Sequence, residues 1–383
     1  TFNRCLPSED ATSPGTAYEP GGGSTIMSYS TTCDPDIVDN TDSYFHVANL
    51  EQVANFVNVE GGSTCAENIL TDNNVPEITL EYSNDLYIPI STPFELTGNV
   101  TDENDDELSY CWEQFDLGPS APLGQPIGNS PSFRSFPPTD SPTRTFPRMP
   151  SVIGNVSENV EVLPTYGRDL RFKLTVRDNA PGAGGVAIAS VRLRSAAGAG
   201  PFRVTYPNNN VAVWNVGEYQ TITWNVANSD AAPVNCQKVN LRLSLDGGQT
   251  YPILLAEGQP NIGRACIQVP NNTSTSARVR IDAVDNVFFD ISNTNFTIQQ
   301  PSTGSFSMCP AKLEDFACLP ADYTTLINTS ASASFSDSIT LSVSGLPAGA
   351  TATFSPNPVA AGEMSTLTIA FPSGSPEAIY DLT

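Results

Sequence analysis

The chain has 383 residues and carries 17 Lys+Arg against 41 Asp+Glu, a formal charge of −24. A surface of that sign repels phosphate, which speaks against nucleic acid and anionic membrane as partners, and no run of about 18 apolar residues exists to cross a bilayer. The 27 glycines, 32 prolines and 15% charged residues favour many short strands joined by turns, in a chain long enough for several cores.

Residues 1–60 differ from everything after them. A polar loop through Tyr18-Glu19-Pro20-Gly21-Gly22-Gly23 leads to Ser24-Thr25-Ile26-Met27-Ser28-Tyr29, and a second loop through Cys33-Asp34-Pro35 leads to a helix. Asn49 is placed to cap that helix, Gln52 sits at the capping-box position, and Leu50, Val53, Ala54 and Val57 form one apolar stripe. Gly61-Gly62 stops it, and 61–75 has linker composition. From Pro76 the pattern is β. Ile88–Ile90, Phe94–Gly98, Leu108–Trp112, Leu170–Val176 and Val186–Leu193 read as strands, with a turn at 102–106 and a Pro-rich excursion from Pro119 to Pro150. Strands at this spacing around a central Trp112 predict an immunoglobulin-like or fibronectin-III-like sandwich over 76–200. A second such sandwich is expected over 201–300, on Thr221–Val226, Val239–Leu245, Ala277–Ile281 and Phe296–Ile298. A third module, 301–383, carries Ser338–Val343 and is expected to be truncated, because Ala378–Leu382 reads as a strand that should hand over to another. The fold class is mainly β.

The eight cysteines form no C-x-x-C pairs and read as disulfides in an oxidising compartment. Proximity favours Cys5–Cys33, Cys236–Cys266 and Cys309–Cys318 and leaves Cys65–Cys111 by elimination. Asp102, Asn104 and Asp106 space oxygens as a calcium loop does, with Asp178 as a distant further ligand, although the EF-hand pattern is not met; the same residues suit a solvated β-turn. Ser244-Leu245-Asp246-Gly247-Gly248-Gln249-Thr250-Tyr251 resembles the Asp-box of sialidases, a hairpin that bonds its own turn and does no chemistry. Phe133, Arg134, Phe136, Arg144, Phe146 and Arg148 gather aromatics and scarce positive charge, as expected of a long loop folded across a sandwich with its arginines on carboxylates.

The hexapeptide around Met27 resembles the Met-turn of metzincin zinc peptidases, which follows H-E-x-x-H-x-x-G-x-x-H. Thr1-Phe2-Asn3, the glycines before the turn, Cys33 after it and Asp42-Ser43-Tyr44-Phe45-His46 together resemble secreted reprolysin-like metallopeptidases of Bacteroidetes-type bacteria. In that family the third zinc histidine runs on into His-Thr-Phe-Asn, so the resemblance places Thr1 just after the missing ligand and 1–60 in the C-terminal subdomain of the peptidase. It implies zinc held by residues upstream, protein or peptide substrates, and secretion or display at the cell surface. It puts Met27 beneath the zinc, Ser28, Ser30 and Thr31 in the substrate-pocket wall, and Tyr29 where related families place a phenol that reaches the zinc or the oxyanion; a wall or core role for Tyr29 is the other reading. The chain has one histidine, His46, which cannot complete a three-imidazole site and is expected to be packed and bonded to backbone. The fragment alone is therefore expected to be inactive. The rival reading is an adhesive or carbohydrate-binding sandwich array, and the oligomeric state is not readable.

Overall fold

The computed structural model describes residues 15–30, 37–64, 67, 69, 71–82, 85–182, 184–317, 321–372, 374–375 and 377–383. Thr31 and Cys5, Cys33, Cys65 and Cys318 fall outside them, and with them the pair Cys5–Cys33. The chain divides into two compact units. One comprises Thr1–Phe202, Val226–Gln237 and Asp282–Asp290, the other Arg203–Asn225, Lys238–Ile281 and Ile291–Thr383. This division differs from the row of modules expected at 61–75, 76–200, 201–300 and 301–383.

In the first unit, helix α1 (Val47–Asn58) starts earlier than the expected cap at Asn49. His46 is the cap, its Nδ1 accepting from the Ala48 amide at 3.2 Å. The helix is buried only at Val47 and Ala48, so its apolar stripe is not a core face: Val53 is 56% and Val57 45% exposed, and Phe56 beside them is 54% exposed. The strands follow as β1 (Glu77–Thr79), β2 (Leu86–Pro89), β3 (Phe94–Thr97), β4 (Asn99–Thr101), β5 (Ser109–Gln114), β6 (Thr143–Phe146), β7 (Arg168–Arg177) and β8 (Val186–Ala196). A short helix, α2 (Met149–Gly154), lies between β6 and β7. One sheet runs β2-β8-β7-β5, with β2 parallel to β8 and the others antiparallel; β3 pairs with β6 and β1 with β4. The two layers meet through rings. Phe94 stacks on Phe146 at 5.0 Å, and Phe146 meets Phe172 at 4.5 Å. Trp112 is buried as expected, its indole N–H donating to the Pro142 carbonyl at 2.9 Å.

Residues 282–290 complete this unit. Phe288 bridges to Phe94, the Glu95 amide donates to the Val287 carbonyl at 2.9 Å and the Phe289 amide to Pro93 at 3.0 Å. Phe288 also meets Phe202 edge to face at 5.3 Å.

The second unit contains β9 (Arg203–Tyr206), β10 (Val213–Asn215), β11 (Tyr219–Asn225), β12 (Lys238–Ser244), β13 (Ile253–Pro260), β14 (Arg264–Gln268), the larger part of β15 (Ser274–Ala283), and β17 (Phe296–Gln299); β16 (Phe289–Ile291) ends at its border. The order β10-β17-β15-β12-β13 forms one sheet and β14-β11-β9 another. Buried Trp214, Ile222, Leu241, Val279 and Ile298 lie at inward positions of these strands. Beyond them, β18 (Ser305–Pro310), β19 (Tyr323–Ser332), β21 (Thr351–Ser355) and β23 (Met364–Ala370) make a sheet of order β18-β19-β23-β21, and β20 (Ser338–Ile339) pairs with β22 (Val359–Ala360).

Three expectations change here. The strand expected over Ser338–Val343 ends at Ile339, because the Asn357 side chain takes both the amide and the carbonyl of Leu341, at 2.9 and 2.8 Å, in place of a strand partner. No strand forms over Ala378–Leu382, although Thr383 and Ser344 exchange backbone hydrogen bonds. Cys266 is bonded to Cys309, with Cα atoms 6.2 Å apart, not to Cys236, and Cys309 is thereby unavailable to Cys318. The reason is packing. The Tyr219 amide of β11 donates to the Ser307 hydroxyl at 2.6 Å, which lays β18 along β11 and β14, whereas Cys236 belongs to the first unit.

Candidate functional site

The loop of the Met27 turn is built on one buried carboxylate. Glu19 is 1% exposed; its Oε1 accepts from the amides of Ser24 and Thr25 at 2.9 and 3.1 Å, and its Oε2 from the Thr25 hydroxyl at 2.7 Å. The Ser28 amide returns to the Thr25 carbonyl at 2.9 Å and the Tyr29 amide to Gly22 at 3.0 Å, closing a tight turn. Gly23 has φ +75°, and a Cβ there would stand 2.7 Å from the Ser28 Cβ, so the glycine is obligatory. The turn lifts its tip into solvent: Met27 is 54% and Tyr29 57% exposed. Ser28 is half-buried and its hydroxyl donates to the Thr25 carbonyl at 2.6 Å. Ser30 is buried, so of the described wall residues only Ser28 reaches the surface.

His46 behaves as a packed residue. It is 1% exposed, with its Nδ1 on the Ala48 amide and its Nε2 3.9 Å from Glu113, and Tyr18 stacks on it and on Phe115. No metal site forms around it among the described residues. Glu113, on β5, is buried as well: Oε2 accepts from the Val47 amide at 2.8 Å and Oε1 from the Ser135 hydroxyl. Ser135 in turn accepts from the Tyr44 phenol at 2.7 Å. Burial pushes the Tyr44 phenol far up, Cys111 and Glu113 adding to it, and burial with the Glu113 charge pushes the Cys111 thiol up. Cys111 is a free thiol, against the pairing with Cys65 that elimination assigned to it; its burial and raised pKa make it inert, and it donates to the Phe136 carbonyl at 3.4 Å. Glu19, Glu113 and Ser135 were not foreseen. The alternation of β5, which sets Glu113 on the face opposite Trp112, hints only at Glu113, and what meets it there is the start of α1, with His46 and Val47, and Ser135.

A second cluster lies elsewhere in the unit. Ligand oxygens of Asp102, Asp106 and Asp178 all fall within 4.8 Å of one another. Asp102 Oδ1 accepts from the amides of Asn104 and Asp106, while its Oδ2 is buried without a hydrogen bond. Asp106 is pushed up by partial burial and by the charges of Asp102 and Asp178. Burial alone would raise Asp178, but hydrogen bonds from Asn73, Ala180 and Gly185 outweigh it and hold its carboxyl low. Asn104 is turned away: its Oδ1 accepts from the Asn74 amide at 2.8 Å and its Nδ2 donates to the Asp72 carbonyl at 3.3 Å. The acidic triad is therefore Asp102, Asp106 and Asp178. Converging carboxylates of this kind suit a hard cation.

The arginine-rich excursion folds across the sandwich as its composition implied. Arg134 pairs with Asp42 at 2.9 Å, Arg144 with Glu161 at 2.9 Å and Arg148 with Glu161 at 3.5 Å, and all three guanidinium groups lie over the Phe136 ring. The Asp-box-like hairpin is likewise structural. Asp246 Oδ1 accepts from Ser244 and from the amides of Gln249 and Thr250, and Oδ2 from the Thr250 hydroxyl, which together hold the carboxyl well below its usual range.

No protein-family model matches the chain and no curated protein is significantly similar to it. Among solved structures it is similar to the fibronectin(III)-like modules of Clostridium thermocellum CbhA, at 8% identity over 58% of this chain and 94% of that one with a TM-score of 0.20. It is also similar to Sidekick-1 immunoglobulin domains 1–5, at 10% identity over 79% of this chain and 54% of that one with a TM-score of 0.21. Overlays this loose carry no argument about function.

Proposed function

We propose that this chain is the C-terminal part of a secreted zinc-dependent metalloendopeptidase with β-sandwich domains attached. The observation that carries the reading is the Met27 turn: a loop held by buried Glu19 and obligatory Gly23 that raises a methionine and a tyrosine into solvent. An exposed apolar tip on so rigid a base is what a second element would cover. The described residues do not themselves make a zinc site, since the one histidine is buried and committed to the α1 cap. Zinc, which would activate water for attack on a peptide carbonyl, would be held by residues outside this chain, and this chain would contribute the floor under it. The disulfide between Cys266 and Cys309 fits an oxidising, extracellular setting.

The test is a peptide-hydrolysis assay on the parent gene product, with and without chelator, beside this chain alone. Chelator-sensitive hydrolysis by the parent and none by this chain is the expected result. A parent sequence with no H-E-x-x-H upstream would overturn the reading.

Calcium at Asp102, Asp106 and Asp178 belongs to the same proposal, favoured by the buried, unbonded Oδ2 of Asp102 beside two further carboxylates. Millimolar calcium should raise the melting temperature by ligand linkage, and Asp106→Asn should abolish that rise while stabilising the calcium-free chain by removing a like charge. A melting temperature indifferent to calcium and chelator would remove the site.

A further inference from the structure

Buried polar contacts join the Met27 turn to the first sandwich. The first turn of α1 contains no acidic residue, although the amides there lack intrahelical partners and favour an anion. Glu113 supplies it from β5, accepting from Val47, the first residue of the helix, at 2.8 Å. Its other oxygen holds the Ser135 hydroxyl, and Ser135 reaches both the return loop and the turn. Its hydroxyl accepts from Tyr44 at 2.7 Å, and its carbonyl accepts from the Ser24 hydroxyl at 3.3 Å, beside the Ser24 amide that Glu19 holds. Asp42, on the same return loop, is anchored by Arg134, and its amide donates to the Ser24 carbonyl at 2.7 Å. Glu51 of α1 is paired with Lys173 of β7. Each contact is between a residue of 15–58 and one of the sandwich, or links two such contacts; those of Val47 and Ser135 with Glu113 and of Ser24 with Ser135 are buried, and those of Tyr44, Asp42 and Glu51 are partly so.

We infer that Glu113 and Ser135 are positioning residues for the Met27 turn and α1, and that the first sandwich is the platform on which this segment acquires its shape. The catalytic meaning of the inference rests on the peptidase reading; its structural content does not.

Hydrogen exchange on this chain tests it. In Glu113→Ala, amides of 16–29 and 44–58 should exchange about tenfold faster, as loss of a charge-assisted bond implies, while amides of β7 and β8 keep their protection. Ser135→Ala should give a smaller acceleration confined to 16–29 and 42–48, and Glu113→Gln, which keeps one of the two acceptors, should restore part of the protection. Unchanged exchange over 16–29 in both alanine variants would overturn the inference. If Glu113→Ala does not fold, Ser135→Ala and Tyr44→Phe decide in the same way. In a parent with peptidase activity, Ser135→Ala should lower kcat with little change in KM. A parent without activity would refute the peptidase reading and leave the exchange result standing.

Discussion

Asp116 and Arg168 are both 1% exposed with charged atoms 3.8 Å apart, and burial outweighs their attraction. Desolvation pushes Asp116 up to about 6 despite hydrogen bonds from Gln114 and Arg171 and the charge of Arg168, and it draws the Arg168 guanidinium down. A carboxyl whose folded pKa lies above its unfolded value is stabilising when protonated. The contribution is therefore favourable at low pH and lost as pH rises from about 4 to about 6, on the order of 3 kcal/mol. Urea unfolding of wild type and Asp116→Asn across that window should show the wild type losing stability relative to the variant; parallel curves would count against it. Gly23→Ala is expected to cost about 1–3 kcal/mol locally, since alanine resists φ +75° and its methyl would meet Ser28. Faster proteolytic cleavage within 16–30 would report it. Gly23 was legible in the sequence as part of a glycine-rich turn. Asp116 was not, because its behaviour follows from burial beneath segments distant in sequence, which outweighs the opposing Arg168 and Arg171 that strand register brings to it.

Among the elements, strands were read well wherever alternation was clean: β7 and β12 match their patterns, since one face of each is buried and the other is not. The period of the sequence finds helix α1 but misplaces its cap and its face, because the buried His46 caps it, with Glu113 of β5 taking the Val47 amide, and its apolar stripe faces solvent. Val53→Ser and Phe56→Ser should accordingly change stability by less than about 0.5 kcal/mol in this chain; a loss above about 2 kcal/mol would mean that the face is covered. The hairpin at 244–250 was legible from its spacing. Asp246→Ala should cost about 1 kcal/mol by denaturant unfolding, modest because the carboxylate is exposed.

At the scale of the molecule, the disulfide between Cys266 and Cys309 closes a loop with a separation of 43 residues, worth about 4 kcal/mol in the chain-entropy picture. Reductant should therefore lower the unfolding midpoint of the second unit, with β18 the first segment to become protease-sensitive; an unchanged midpoint would show that packing alone holds β18. Sequence spacing could not find this pair, since the nearer Cys236 belongs to the other unit. The first unit, finally, is discontinuous in sequence, and this bears on how it is made. The backbone at 93–95 is completed only by 287–289, which a ribosome delivers roughly 10–40 s later. For that interval the emerging unit carries a bare flank where Phe94 should meet Phe288, a site suited to chaperone capture or to mispairing. A polypeptide stopped at Gly200 should aggregate, and one stopped at Gln300 should remain soluble.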